Sequence, residues 1–451
     1  MKSSNSFILL FSLACLTGST LTAQSAEEFS KRRYEVISQM EPGSAMIINS
    51  RKTSSEKFDN RRVGGYFYYL TGLDEANCTL ILLSGDKSMP ERQGGESNEI
   101  LFISPVNSDR INWDAQTAGV EGAMVNAGIK DARPAGETNE FVGLLLAQKL
   151  SVLYMEVSTY GSVTEPLSED EQIILKAREH GAEYKVLPPA VIIDPMMDIK
   201  SPAETDLMRK VVNITAEAQM EAMRSLKPGL YEYQLDAIIK YIFSINGSKS
   251  LSFPSIIGSG QNSVVLHWME NTRMMEDGDI VVVDCGAEYQ MYCADITRTF
   301  PVNGRYSPRQ RAIYEIVLKA NKEAIKMIAP GVRSADVSNR ADSVLADGMI
   351  KIGLIKDKGD FRRYYYHGLS HQIGLKEAFG KVPAVLEPGM IITIEPGIYI
   401  REEKLGVRIE DDVLVTVTGN EVLSRNAPKE IAEIEKIMKE PGTEVTRNVV
   451  R

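Results

Sequence analysis

The sequence predicts two domains behind a short leader: an α/β layer domain over residues 27–195 and an α+β domain over residues 196–451. Three observations carry this. A chain of 451 residues is long enough to build two hydrophobic cores. In its first part, short apolar runs alternate with helical stretches. In its second part, long capped helices alternate with strands that carry acidic residues.

The chain opens with Lys2, the apolar run FILLFSLACL and small residues up to Thr22 and Ala23. That is the pattern of a secretory signal peptide, residues 1–23, cleaved after Ala23. The run is too short to span a bilayer comfortably, and no other segment approaches that length. Ser12 stands where a lipid-attachment motif ahead of Cys15 would carry Leu, which argues against a lipoprotein. The mature chain is expected to be exported, periplasmic or secreted, with no stable membrane insertion. A net charge of −10 without a long basic run excludes nucleic acid as a partner. Cleavage leaves Cys78, Cys285 and Cys293, too few for a disulfide framework and best read as buried apolar thiols.

In the first domain, the aromatic segment GYFYYLTGL (Gly65–Leu73) reads as a strand, with Tyr66, Tyr68 and Tyr69 assigned to the core. CTLILLS (Cys78–Ser84) and EILFISP (Glu99–Pro105) read as buried strands, separated by the surface loop GDKSMPERQGGESN. Helices are expected around Thr138–Leu150 and Glu169–His180. No catalytic constellation is visible here. The boundary falls in VLPPAVIIDPMMDIKSP, where Pro188, Pro189 and Pro195 punctuate the chain.

The second domain begins with a strong helix start: Ser201 as N-cap, Pro202 in the first helical position and Glu204 completing a capping box. Leu207, Val211, Ile214, Ala218 and Ala222 recur on one face, and Lys227-Pro228-Gly229 ends the helix. Ser307-Pro308-Arg309-Gln310 opens another helix in the same way, burying Ile313, Ile316, Val317, Ala320 and Ala324. The segment GSGQN (Gly258–Asn262) is not a phosphate loop, because no Gly-Lys-Ser/Thr follows.

Between these helices lies DIVVVDCGAEYQMYCADITRTF, Asp279–Phe300, which reads as a β-hairpin. A turn centred between Tyr289 and Gln290 sets Asp284 directly opposite Asp295, with Cβ atoms roughly 5 Å apart. Two carboxylates buried so closely need a cation between them. Alone, the hairpin fits equally well two solvated, idle aspartates. A second hairpin alters that balance: a turn near Glu402 brings Glu395, in MIITIEPGIYI, opposite Glu410, in GVRIEDDVLV. Of the four histidines, His180, His267, His367 and His371, the last two sit in YYYHGLSHQIGL, read as strand and loop, and one of them is a potential ligand. Four carboxylates and one imidazole make a hard, oxygen-rich site for two divalent cations, Mn²⁺ or Co²⁺, with Zn²⁺ possible. Five ligands for two ions leave room for water, as in two-metal hydrolases.

With these motifs in view, the second domain resembles the "pita-bread" metallopeptidases, which include methionine aminopeptidase, prolidase and Xaa-Pro aminopeptidase. The family's ligand order is Asp, Asp, His, Glu, Glu. The resemblance places it on Asp284 in VVVDCG, Asp295 in ADITRTF, His371 in HGLSHQIGL, Glu395 in TIEPG and Glu410 in RIEDD. SFPSIIGSGQNSVVLH carries His267 in the position of the family's substrate-side histidine. LEPGMIITIEPG and GVRIEDD are similar to the Xaa-Pro aminopeptidase forms, and YFYYLTGL with RINWDAQTAGVEGA resembles that subfamily's creatinase-like N-terminal domain. The resemblance implies an exopeptidase that removes the residue ahead of a proline, with Glu395 as proton shuttle and His267 stabilising the tetrahedral intermediate. It places His367, Arg408 and Tyr399 around the peptide substrate; an ion pair holding Glu410 or Asp411 is the alternative for Arg408. It further implies a homo-oligomer, dimer or tetramer. One departure stands out: seven residues after His371, where the family carries a second catalytic histidine, this chain has Ala378. A dipeptide-specific prolidase and a weakly active or silent homologue are therefore the alternative expectations.

Overall fold

The structure is a computed structural model, and it describes residues 24–50, 64–84, 98–106, 112–113, 117–156, 175, 178, 183–375 and 380–444. The expected signal peptide, the loop after Ser84, His180 and most of the helix expected around it, and Ala378 lie outside the described residues. No helix among the described residues is long and apolar enough to cross a membrane.

The first domain is built on six strands: β1 (Ala45–Asn49), β2 (Thr79–Leu83), β3 (Glu99–Ile103), β4 (Ala132–Pro134), β5 (Val152–Met155) and β6 (Lys185–Leu187). They form one mixed sheet in the order β4-β3-β2-β1-β5-β6. Side chains alternate between two cores, as a period of two requires. Met46, Ile48, Leu80 and Leu82 face one core; Ala45, Ile47, Ile81 and Leu83 face the other. Helices α1 (Ala26–Gln39), α2 (Gly65–Thr71) and α3 (Gly119–Ala127) cover the first face, and α4 (Thr138–Leu146) the second. This is the expected α/β layer arrangement.

Two local expectations are corrected. Gly65–Thr71 is a helix rather than a strand. Phe67, Leu70 and Thr71 are buried at helical spacing, and Gly72, in the left-handed conformation at φ 68°, closes the helix. The aromatic residues' preference for strands yields to packing against α1. The proline-rich stretch before residue 200 holds α5 (Ala190–Asp198), with Pro195 inside it.

The second domain opens with α6 (Pro202–Ser225), whose N-cap Ser201 and Glu204 form the expected reciprocal capping box. α7 (Glu232–Ile245) packs beside it. Then come β7 (Ser250–Leu251), β8 (Ile256–Ser259), β9 (Ile280–Cys285), β10 (Ala287–Tyr289), β11 (Tyr292–Cys293) and β12 (Ile296–Pro301). The order then repeats: the Ser307-capped α8 (Pro308–Ile325), α9 (Ser334–Lys351), and β13 (Ile391–Ile394), β14 (Gly397–Ile400), β15 (Leu405–Arg408), β16 (Asp411–Val415) and β17 (Asn420–Val422). Every strand pair in this domain is antiparallel. Helices on an antiparallel sheet make it α+β, as expected. Cys78, Cys285 and Cys293 are all buried, and none forms a disulfide among the described residues.

The register of the first hairpin differs from expectation. The turn residues are Gln290 and Met291, both at positive φ (50° and 68°), so Tyr289 pairs with Tyr292. That is a two-residue turn of the kind whose backbone twist matches antiparallel strands. Asp284 consequently pairs with Thr297, not with Asp295. The shift is two residues in register, so Asp295 stays on the same face as a diagonal neighbour of Asp284. The second hairpin keeps its expected register: Gly397 pairs with Arg408 and Ile394 with Asp411. Between those pairs the ladder is interrupted, and Glu395 and Glu410 occupy the gap.

Candidate metal centre

Each acidic residue sits at or near a strand end, and the backbone amides of Asp295, Glu395 and Glu410 pair outside the strand ladders. Asp284 lies near the end of β9, and Asp295 immediately precedes β12. The Glu395 amide donates to Leu369 O at 2.9 Å, and the Glu410 amide to Thr297 O at 3.0 Å. The second contact stitches one hairpin to the other. His371 is fixed from both sides: Thr393 N donates to His371 O at 3.0 Å, and His371 N donates to Thr393 Oγ1 at 3.1 Å.

These elements bring four of the five predicted ligands together, Asp295, His371, Glu395 and Glu410, while Asp284 is held beside them by Arg408. His371 Nε2 lies 3.5 Å from Asp295 Oδ2, 3.9 Å from Glu395 Oε1 and 3.9 Å from Glu410 Oε1. Ligand atoms of Asp295, His371 and Glu410 all fall within 4.8 Å of one another. The other ring nitrogen of His371 is 2.8 Å from Gln372 O, an acceptor, so Nδ1 carries the proton and Nε2 presents a lone pair to the carboxylates.

Burial and mutual repulsion act on the acids. Burial, then Glu410 and Asp284, raise the Asp295 carboxyl well above the ordinary range. Burial, then Glu395 and Asp284, do the same to Glu410. Burial pushes Glu395 up to about 8, against the pull of Arg408. Burial also lowers His371. Two oxygens, Asp284 Oδ1 and Asp295 Oδ1, are buried without a hydrogen-bond partner. Crowded acids, a neutral imidazole and orphaned carboxylate oxygens are what divalent cations satisfy, so the residues fit such ions.

A hydrogen-bonded chain backs the site. Arg408 Nη2 donates to Asp284 Oδ2 at 2.6 Å, its Nη1 to the Tyr399 hydroxyl at 3.2 Å and its Nε to Thr297 Oγ1 at 3.1 Å. The Tyr399 hydroxyl lies 2.9 Å from His367 Nε2, and His367 Nδ1 lies 2.8 Å from Gly368 O. The consistent assignment has His367 Nδ1–H donating to Gly368 and Tyr399 O–H donating to Nε2. Burial and then Arg408 push His367 down to about 4, so it is neutral.

The expected substrate-side residues differ in burial. Arg408 is 4% exposed and Tyr399 is 1% exposed. The Arg408 ion pair is with Asp284 rather than with Glu410 or Asp411. Asp411 is instead held by Arg298 and Lys429. His367 remains partly exposed, and His267 is exposed on the segment whose Leu266 carbonyl accepts from Arg408 at 3.5 Å.

Sequence reasoning missed Thr297 and Asp412. Thr297 Oγ1 donates to Glu410 Oε2 at 2.7 Å, and Asp412 Oδ2 accepts from the Asp295 amide at 3.1 Å. Both lie within quoted motifs, ADITRTF and RIEDD. The signal for Thr297 was its place on the face shared with Asp295, two residues along the strand.

Comparison with known proteins identifies the family. Residues 206–417 match the model of metallopeptidase family M24, and residues 29–154 match the aminopeptidase P N-terminal domain. A Xaa-Pro aminopeptidase of Haemophilus influenzae is 35% identical over 91% of this chain and 97% of its own length. That of Escherichia coli is 33% identical over 92% and 98%. Among solved structures, Pseudomonas aeruginosa aminopeptidase PepP superposes with a TM-score of 0.81 at 33% identity, covering 92% of this chain and 98% of that one. Proline aminopeptidase P II from Yersinia pestis gives 0.82 at 32%, covering 92% and 99%. The chain is a metalloexopeptidase that belongs to metallopeptidase family M24, with a pita-bread domain preceded by an aminopeptidase P N-terminal domain.

Proposed function

We propose that this protein releases the N-terminal residue from peptides with proline in second position, using two divalent cations held by Asp284, Asp295, His371, Glu395 and Glu410. The observation that carries the reading is the convergence of His371 Nε2 on three carboxylates within 3.9 Å, beside the orphaned oxygens of Asp284 and Asp295. Mn²⁺ or Co²⁺ suits the oxygen-rich donor set, and Zn²⁺ is compatible with it.

Bound cations of this kind supply Lewis acidity and activate water near neutral pH. The chain's own residues then order the substrate and move protons. Glu395, standing between β13 and β14 at the edge of the cluster, takes the proton released as water attacks and returns it to the departing proline nitrogen. That nitrogen belongs to a tertiary amide with no N–H, so its protonation needs a well-placed acid. His267 donates to the oxygen that develops negative charge on the scissile carbonyl. His367 faces Glu395 at 3.7 Å, with its ring held by Tyr399 and Gly368, and orients the peptide. Arg408 fixes Asp284 and Tyr399 at once.

Ala378 favours a second reading, a weakly active or silent homologue, because it withdraws one imidazole from the family pattern. The test is release of the free N-terminal residue from Xaa-Pro-Yaa tripeptides, compared with Xaa-Pro dipeptides and Xaa-Ala-Yaa tripeptides, with Mn²⁺, Co²⁺ or Zn²⁺. The proposal expects cleavage of the Xaa-Pro tripeptide. Cleavage of the dipeptide alone marks a prolidase. Stoichiometric metal binding without cleavage of any peptide marks a silent homologue. We further propose export through residues 1–23 and assembly into a homo-oligomer. Amino-terminal sequencing of the exported protein and sedimentation of the purified chain test these in turn.

A further inference from the structure

Helix α6 buries Leu207, Val211, Ile214, Ala218 and Ala222, but two polar side chains, Thr215 and Gln219, interrupt this face, each fully buried. The Gln219 amide Nε2 donates to Val283 O at 3.0 Å and to Ile296 O at 2.8 Å. Val283 immediately precedes Asp284, and Ile296 immediately follows Asp295. One turn earlier on the helix, Thr215 Oγ1 accepts from the Ala287 amide at 3.0 Å.

These contacts fall where the first hairpin changes sheets. The β9–β12 ladder ends at the Cys285–Ile296 pair, and the chain continues into β10 and β11, which belong to another sheet. Gly286 stands at that junction because a Cβ there would lie 1.8 Å from Ala294 O. The regular β9–β12 pairing thus stops beside the two aspartates and resumes only where the Ala294 amide donates to Ala287 O at 3.1 Å, so fewer ladder bonds set the strand spacing there.

We propose that Gln219 is a positioning residue for the metal pair: its carboxamide braces the two strands so that the Asp284 and Asp295 carboxylates hold the separation two bridged cations require. The inference rests on the dinuclear reading above. Two ions roughly 3.5–4 Å apart need ligands with little freedom. The carbonyl end of the same amide supports the assignment. Gln219 Oε1 is buried without a hydrogen-bond partner. A leucine or methionine would fill this space without leaving an acceptor unpaired, so packing alone does not call for glutamine. The two donors, each aimed at a carbonyl next to a metal-binding aspartate, do.

The test compares the full-length wild type with Gln219→Leu and Gln219→His. Mn²⁺ binding is measured by equilibrium dialysis. Electron paramagnetic resonance distinguishes a spin-coupled Mn²⁺ pair from isolated ions, and thermal unfolding is followed without metal. Loss of support around a metal ligand typically weakens binding about 10–100-fold. Gln219→Leu is expected to lose the weaker of the two ions by that factor and to show isolated Mn²⁺, with a metal-free Tm close to wild type. Gln219→His keeps one ring N–H and is expected to fall between them. Wild-type stoichiometry, affinity and spin coupling in the folded variants overturn the proposal, whatever their Tm. If Gln219→Leu does not fold, Gln219→His decides by the same criteria. A wild-type protein that binds no pair of ions defeats the dinuclear reading itself, and this inference with it.

Discussion

Replacing Lys200 with methionine should stabilise the protein at neutral pH and lose that advantage in strong alkali. Lys200 follows α5 and is 5% exposed. Its ammonium lies 3.3 Å from Asp198 O and 3.4 Å from Gln372 Oε1, both long for charged hydrogen bonds. Burial, opposed by Glu204 and Asp198, pushes its pKa from 10.5 down to about 8. The unfolded chain therefore holds this proton more tightly than the folded one. Stability should rise with pH between about 8 and 10.5, and the full penalty applies below 8. The gap between 10.5 and about 8 corresponds to about 3 kcal/mol. Methionine removes that penalty. It also removes two weak hydrogen bonds, worth about 1 kcal/mol, and the pull of Lys200 on Asp198. The expected net gain at pH 7 is about 2 kcal/mol; it falls as pH rises from about 8 to 10.5 and becomes a loss of about 1 kcal/mol in stronger alkali, where only the missing hydrogen bonds count. Urea unfolding of wild type and Lys200→Met at both pH values reads this directly as a difference in midpoint. A variant that is less stable at pH 7, or a difference independent of pH, refutes the reasoning.

Other perturbations follow from the same geometry. Tyr399→Phe removes the hydroxyl between His367 and Arg408, and should lower kcat about 10–100-fold, or about 1.4–2.7 kcal/mol, with metal content unchanged; elemental analysis beside the peptide assay checks both. Arg298→Met should cost about 3–5 kcal/mol in a chemical denaturation experiment. It strips Asp411 of a buried partner and unpairs the carbonyls of Thr297, Glu410 and Ala427. Burial works against ionisation of Asp411, but Arg298 and Lys429 outweigh it and hold its carboxyl well below the usual range. Its stabilising contribution is thus present above the unfolded carboxyl pKa and lost in strong acid, and the variant should show less of that acid-dependent loss. Gly286→Ala forces a methyl group onto Ala294 O and should lower Tm steeply, with loss of metal binding measured by dialysis.

The legible and illegible parts of this chain differ for physical reasons. Ser201 and Ser307 announced their helices because capping chemistry is local, needing only a hydroxyl and an acceptor three residues on. The second hairpin's register was legible from the charged turn around Glu402, which sets Gly397 against Arg408. The first hairpin's turn was not, because Gln290 and Met291 adopt left-handed conformations without the Asn or Gly that usually marks them. The face of Asp284 and Asp295 was still read correctly, since a two-residue slip preserves side-chain direction. The segment Gly65–Thr71 was misread because its helical state depends on packing against α1, a contact distant in sequence. The place of Arg408 behind Asp284 was hidden for a related reason. Its long side chain chooses among several acids, and only the folded backbone decides which one it reaches.

The most direct test of the account is titration of the metal-free protein with Mn²⁺ while the N-terminal residue freed from a Xaa-Pro-Yaa peptide is measured. Two ions bound per chain, with cleavage appearing as the pair fills, is the predicted result. A folded protein that binds no divalent cation, and leaves the peptide intact with Mn²⁺, Co²⁺ and Zn²⁺ alike, would contradict it.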